Sequence, residues 1–219
     1  MKNLRNALLL KQLYQLKQLG YKYTSVTPYK ENEQDLRLPN TLESLKKQAM
    51  ECHLCELSKS RHKVVFGEGN PQADILFIGE GPGTTEDSSG KPFVGRSGEL
   101  LTKMIENVLQ LNVNDVYFTH AIKCKTLNAN IPSTSEFNSC KSYLFSQIEF
   151  VKPKVIVTLG EDSYYKVTDE SDNFEGVRGH VIDFKKYKLI PIYHPAFLLR
   201  NPELKKITLN DLKTIKSCL

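Results

Sequence analysis

Between Ile78 and Leu101 the chain reads IGEGPGTTEDSSGKPFVGRSGELL. Gly79, Gly81, Pro82 and Gly83 come first, with Glu80 among them, then Glu86 and Asp87, then Phe93 in an otherwise polar loop. Glycines let a backbone approach a ligand closely and leave its N–H groups available as donors. Carboxylates offer acid–base chemistry or a seat for a divalent cation. A loop that adds one aromatic ring to these suits a ligand that is flat and polar. For any single carboxylate (Glu80, Glu86, Asp87, Glu161 or Asp162) a helix cap or a solvated loop is the plainer role.

Three more groups could do chemistry. His194-Pro195-Ala196 follows an apolar run, and its imidazole could donate a hydrogen bond to charge developing on a substrate. The residues after it, Phe197-Leu198-Leu199-Arg200, read as an apolar wedge and a cation, suited to a base stack and a phosphate or to an ordinary helix start. His120 is either a polar reader in a pocket or a core residue bonded to backbone. Cys52-x-x-Cys55 is a metal-type clip, and with Cys124 and Cys140 it could supply four thiolates to zinc or to an iron–sulfur cluster. Spacing does not choose between the two, and four buried unligated cysteines are the bland alternative. Cys218 reads as an idle thiol, and His53, His62 and His180 as surface residues.

The elements that must position these groups are legible as alternating patterns. Apolar runs at Ala73–Ile78, Asp115–Ala121, Lys154–Leu159 and Leu189–Tyr193 predict strands, and helical patterns at Ser97–Leu111 and Ser135–Phe150 separate the first three. Such alternation indicates βαβ units and a parallel sheet. The expected fold is α/β, a three-layer α/β/α sandwich on a central four-stranded parallel sheet. Ligands of such sheets sit at the carboxyl ends of the strands. Here those ends carry Gly79-Glu80-Gly81, His120 with Cys124, Gly160-Glu161-Asp162 and His194-Pro195, which would make one site. The stretch 173–188 looks like a hairpin. Leu42–Met50 predicts a helix with Thr41 as its cap.

The N-terminus, MKNLRNALLLKQLYQLKQLG, is basic with leucines at helical spacing and no small-residue cleavage site after it. It predicts an amphipathic helix, so residues 1–50 form a helical extension and linker, and 51–219 the main domain. No run of roughly 18 apolar residues occurs, so no membrane partner is expected. The net charge of +5 is concentrated after Lys185, where eight basic residues face two acidic ones. A basic end on a near-neutral body suits a phosphate backbone, or a solvated helix face.

Together these residues resemble the family 4 uracil-DNA glycosylases, the iron–sulfur branch of the uracil-DNA glycosylase superfamily, over about Glu51 to Lys213. The family's first motif appears as Gly79–Asp87 with Gly90–Gly95, its second as His194–Arg200. Its four ligands to a [4Fe–4S] cluster fall on Cys52, Cys55, Cys124 and Cys140, zinc being the lesser occupant. The protein is expected to be cytoplasmic, nucleoid-associated and monomeric, and the resemblance implies a repair enzyme that hydrolyses the N-glycosidic bond of uracil in DNA after flipping the nucleotide out of the stack. Phe93 would stack on the base, and His120, Gly79 and Asp87 would complete its pocket. Backbone donors around Glu80 and Gly81 would hold the base edge. His194 would stabilise charge on the leaving base, and Glu86 would position water. Ala196, Leu198, Leu199, Arg200 and Lys125 would meet DNA. The N-terminal helix is free to recruit a repair protein.

Two departures stand out. Where the family has a base-reading asparagine, this chain has His120, whose donor and acceptor lie on opposite edges of a ring. That substitution raises the expectation of a broadened or shifted base preference, such as hypoxanthine or xanthine, or of a damaged-DNA binder with poor turnover. A cation-bearing segment after Cys124 is reduced to Lys125-Thr126-Leu127-Asn128-Ala129-Asn130, which should flatten the salt dependence of DNA binding.

Overall fold

The apolar run that ends at Gly79 forms a strand, β2 (Ile75–Gly79), buried along its whole length. A strand reads as continuously apolar when both faces of its sheet are covered. The same holds for β4 (Val155–Leu159). Leu76, Phe77, Val155, Ile156 and Val157 have no exposed surface, and each such side chain stabilises the fold by roughly 1.5–3 kcal/mol. The computed structural model describes residues 39–127, 131–170 and 173–219, with Lys11, Gln15, Lys17 and Gln18 in helical conformation and Gly20 in a turn. The rest of the helix expected over 1–20 lies outside the described residues.

The four expected strands are present as β2, β3 (Tyr117–His120), β4 and β6 (Tyr187–Ile192), and they pair in parallel in the order β3-β2-β4-β6. Two antiparallel edge strands extend this core to six: β1 (Glu68–Gly69) on β3 and β5 (Ile182–Phe184) on β6. The expected hairpin therefore starts later than its sequence suggested. Residues 174–177 form a short helix, and β5 pairs with β6 itself around Lys185 and Lys186. Lys185 takes the left-handed conformation (φ 55°) that such a tight turn demands.

Helix α1 (Leu42–Met50) is capped by Thr41, whose hydroxyl accepts the Ser44 N–H at 3.1 Å. It packs on α4 (Thr134–Val151) through Leu45 and Ala49, so it belongs to the compact unit Leu38–Leu219. The sequence reading grouped it with the extension because its apolar face is too short to show where it docks.

Two short helices follow β2: α2 (Thr84–Ser89) and α3 (Arg96–Met104), the latter running into a π turn over Ile105–Leu109. After β4 comes α5 (Glu161–Thr168), then α6 (Phe174–Val177). After β6 come α7 (Pro195–Arg200) and α8 (Lys205–Ser217). Right-handed crossovers put α3 on one face of the sheet and α4 and α5 on the other. The contacts agree: α7 and α8 pack on the α3 segment and α1 on α4. Strand order reverses at β2, and the crevice between the ends of β2 and β4 is where such a sheet receives a ligand. No helix among the described residues is long and apolar enough to cross a membrane.

Candidate active site

A cleft of about 550 Å³ opens over that crevice. The loop after β2 lines it with Glu80, Gly81, Pro82 and Gly83, and the β4 end with Leu159, Gly160, Glu161 and Asp162. The β6 end and α7 add Tyr193, His194, Ala196, Phe197 and Arg200, while Phe174 and Glu175 of α6 close one side. Three of the four strand ends singled out in the sequence thus meet in one cavity.

His194 is the N-cap of α7, with extended backbone and Pro195 at the first helical position. Its Nδ1 accepts the Ala196 N–H at 3.1 Å. A ring nitrogen that accepts carries no proton, so in the neutral imidazole the proton sits on Nε2. Burial, reinforced by the nearby His120, pushes the imidazole down to about 4, so it is neutral at physiological pH. The cap therefore fixes a neutral ring with Nε2–H as donor, the form suited to polarise a substrate oxygen.

Glu80 leaves the end of β2 half-buried, and its Oε1 has no hydrogen-bond partner. Burial and the neighbouring Asp162 push its carboxyl up to about 7, with Lys166 opposing. Asp162 is itself raised, by burial and by Glu161. A carboxyl that titrates near neutrality and faces a cleft can exchange a proton during a reaction.

Behind the cleft lies an inner layer built by α2 and the loop after it. Glu86 is three residues into the turn that starts at Gly83. Its Oε2 accepts the Gly83 N–H and its Oε1 the Phe93 N–H, both at 2.6 Å. Burial pushes its carboxyl up, and the neighbouring His120, then these two bonds, outweigh it and hold the group below the usual range. Phe93 sits at φ 49°, a left-handed conformation rare for a bulky residue. Its carbonyl lies so close to α3 that a Cβ at Gly98 would stand 1.6 Å from the oxygen. The Phe93 ring packs against His120 in a tilted arrangement, with centroids 4.6 Å apart and planes 33° from parallel, and its centroid is 6.4 Å from that of His194. His120 is 1% exposed. Glu86 Oε1 stands 3.6 Å from its Nε2, within ion-pair range but beyond hydrogen-bond distance, and neither ring nitrogen makes a hydrogen bond.

Asp87 turns the other way. Its carboxylate accepts the His62 N–H at 3.0 Å, reaches the Lys63 N–H and meets His62 Nδ1 at 2.6 Å. It ties α2 to the segment that follows the cysteine clip, outside the cleft.

Cys52, Cys55, Cys124 and Cys140 line one cavity with Ala49, Leu54 and Tyr143. Arg61 donates to Cys124 Sγ at 3.4 Å and to the Cys52 carbonyl at 2.7 Å. Lys123, 2% exposed, donates to the His120 carbonyl at 2.6 Å and to Thr119 Oγ1 at 2.7 Å. Among the described residues no three His, Cys, Asp or Glu side chains converge as the ligands of a single metal ion would.

With this geometry in place, the chain can be set beside known proteins. The uracil DNA glycosylase superfamily matches residues 66–213. A type-4 uracil-DNA glycosylase from Sulfurisphaera tokodaii is 40% identical over 185 residues, 81% of this chain and 84% of that protein. One from Saccharolobus solfataricus is 38% identical, covering 82% and 87%, and one from Thermotoga maritima 39%, covering 80% and 93%. This chain belongs to the type-4 uracil-DNA glycosylase family.

Several expected site residues of this family member take different places. Glu80, Gly81, His194, Ala196 and Arg200 line the cleft. Gly79, Phe93, His120 and Glu86 form the layer behind it. Leu198, expected at the DNA surface, is 1% exposed and packs into the core, because the turn of α7 directs it inward while Phe197 emerges at 37%. Leu199 and Lys125 are half-buried, and Arg200 is exposed. The sequence reading missed Glu175, Phe174 and Tyr193 as cleft residues, and Arg61 and Lys123 as cysteine neighbours. Tyr193 next to His194 was the one available signal; nothing local marks Arg61.

Proposed function

We propose that this chain hydrolyses the N-glycosidic bond of uracil in DNA, taking the flipped nucleotide into the cleft above β2 and β4. The observation that carries the reading is the capped, neutral His194 with its Nε2–H available at a cleft wall. As the glycosidic bond breaks, negative charge collects on the base, and a fixed donor in a water-poor site stabilises it more than water would. The sugar takes on oxocarbenium character, and water completes the displacement.

Glu80 orients that water on this reading. It lines the cleft and its buried Oε1 makes no hydrogen bond, whereas both Glu86 oxygens are taken by backbone N–H groups. Glu86 then serves as the brace that sets Phe93, and Asp87 as the brace that sets α2. Exposed Phe197 and Arg200 at the cleft edge suit contact with the opened duplex and its phosphates.

Cys52, Cys55, Cys124 and Cys140 would hold a [4Fe–4S] cluster. Four thiols lining one small cavity, with a cation on one sulfur, support four-cysteine ligation of such a cluster, zinc being the lesser occupant. The cluster's contribution when bound is structural, closing the loops around Cys52 and Cys124. The name shared by the relatives supports uracil as the substrate over hypoxanthine, xanthine or a binding-only role. The protein acts as a monomer in the nucleoid on this reading, with its N-terminal segment available to a repair partner.

Single-turnover release of base from an oligonucleotide carrying one uracil tests the proposal. Rapid release of uracil, with none from the matching thymine strand, is expected. An intact, DNA-bound protein that releases nothing would overturn it.

A further inference from the structure

A base held between Phe93 and His194 has no space in this structure. The cleft that reaches His194 and Glu80 does not reach Phe93. The cavity that does reach Phe93, about 170 Å³ between Leu101, Phe118 and Glu68, does not reach His194. What lies against Phe93 instead is the imidazole of His120, its centroid 4.6 Å away and its plane tilted 33° to the phenyl ring. The imidazole is also wedged against the end of β2: a Cβ at Gly79 would be 2.6 Å from His120 Nδ1 and 2.9 Å from Phe93 Cζ. There is no slack in which ring and base could share that position.

Its polar atoms are the second observation. A buried histidine in a core ordinarily bonds at least one ring nitrogen, because leaving both unpaired forfeits the hydrogen bonds they made with water. His120 is 1% exposed, and neither ring nitrogen makes a hydrogen bond, Nε2 lying 3.6 Å from Glu86 Oε1, within ion-pair range only. The nearest carboxylate oxygen, Glu86 Oε1, already accepts the Phe93 N–H at 2.6 Å. The residue is packed like a core side chain and unsatisfied like a ligand-facing one.

We propose that His120 occupies the base's own seat: its imidazole stands in for the flipped base on Phe93, and a base enters only as that ring swings away. His120 is then a specificity-determining residue that acts by competition, and its unpaired nitrogens find partners once it moves. The proposal rests on the uracil-excision reading, through the assignment of Phe93 as the stacking ring. It makes a prediction opposite to that for a base reader. Removing a reader weakens base binding; removing an occupant strengthens it.

The test is binding of free 5-fluorouracil to the intact, cluster-bearing protein, read by fluorine NMR, for wild type, His120→Ala and His120→Phe. The Ala variant vacates the seat, and the Phe variant fills it with a ring that has no nitrogens to satisfy. Cluster absorbance and circular dichroism check that each variant is folded. The expected result is at least tenfold tighter binding by His120→Ala than by wild type, and none detectable by His120→Phe. Weaker binding by His120→Ala would overturn the proposal and make His120 a reader in place. Equal binding by all three, or binding by none, would overturn it by showing that the seat lies elsewhere. Uracil release from a single-uracil oligonucleotide, measured alongside, reads the parent proposal separately. Absent release with tighter binding by His120→Ala would fault the activity and leave the seat standing.

Discussion

Replacing Glu80 by Gln should alter the pH dependence of base release in a way that can be worked out beforehand. The folded carboxyl titrates near 7 instead of 4.5. From those values it is about 1% ionised at pH 5, half at pH 7 and nine-tenths at pH 8. If the carboxylate orients the water, single-turnover release by wild type should rise about 90-fold from pH 5 to pH 8 and then level off. His194 does not confuse this window, because it titrates near 4 and stays neutral throughout. Glu80→Gln should be slower than wild type at pH 8 by about 10²-fold and nearly flat in pH. Stability should move the other way. The proton held on folded Glu80 favours the native state fully below pH 4.5, and that advantage is lost as pH rises through 7. The Gln variant should therefore melt above wild type at pH 8 and level with it at pH 4.5. A flat wild-type profile, or a Gln variant that keeps the slope, would refute the assignment.

Three further outcomes follow from the packing and charge. Gly98→Ala puts a methyl group 1.6 Å from the Phe93 oxygen, so urea unfolding should show a loss of about 1–3 kcal/mol, accompanied by slower base release. Arg200 is exposed at the cleft edge, and Arg200→Ala should reduce the slope of log affinity against log salt by about 0.9 in DNA titrations. Cys140→Ser should give a colourless protein with sub-stoichiometric iron and a lower melting temperature, since a cluster bound only by the folded chain stabilises it.

The frame of the fold was readable because its strands are extreme cases. Ile75–Ile78 and Val155–Val157 are unbroken apolar runs, as strands buried on both faces tend to be, and both strands appear within two residues of expectation. The edges were not readable: β1 is two residues long, and the β5–β6 turn uses two lysines instead of Gly or Asn. In the site, the types were easier to read than the directions. Glu86 looked like a free carboxylate, yet a Glu three residues after a turn start is a known way to satisfy backbone donors. Gly83 has no side chain to complete a reciprocal box, which hid the pattern. Asp87 and Leu198 belong to short helices whose inward faces depend on tertiary partners, His62 for one and the core for the other. Cys52-x-x-Cys55 was legible from spacing, while Arg61, far from Cys124 in sequence, reaches its thiol through folding alone.

The most direct test is single-turnover release of uracil by wild type, His194→Ala and His194→Asn at pH 7. His194 contributes a donor to the leaving base and a cap to α7, and the Asn side chain can keep the cap with the donor displaced. The expected result is rapid release by wild type and a loss of about 10²–10³-fold in both variants, with DNA affinity retained. Equal rates in all three proteins would contradict the role of the neutral imidazole, and absent release by a DNA-bound wild type would contradict the function itself.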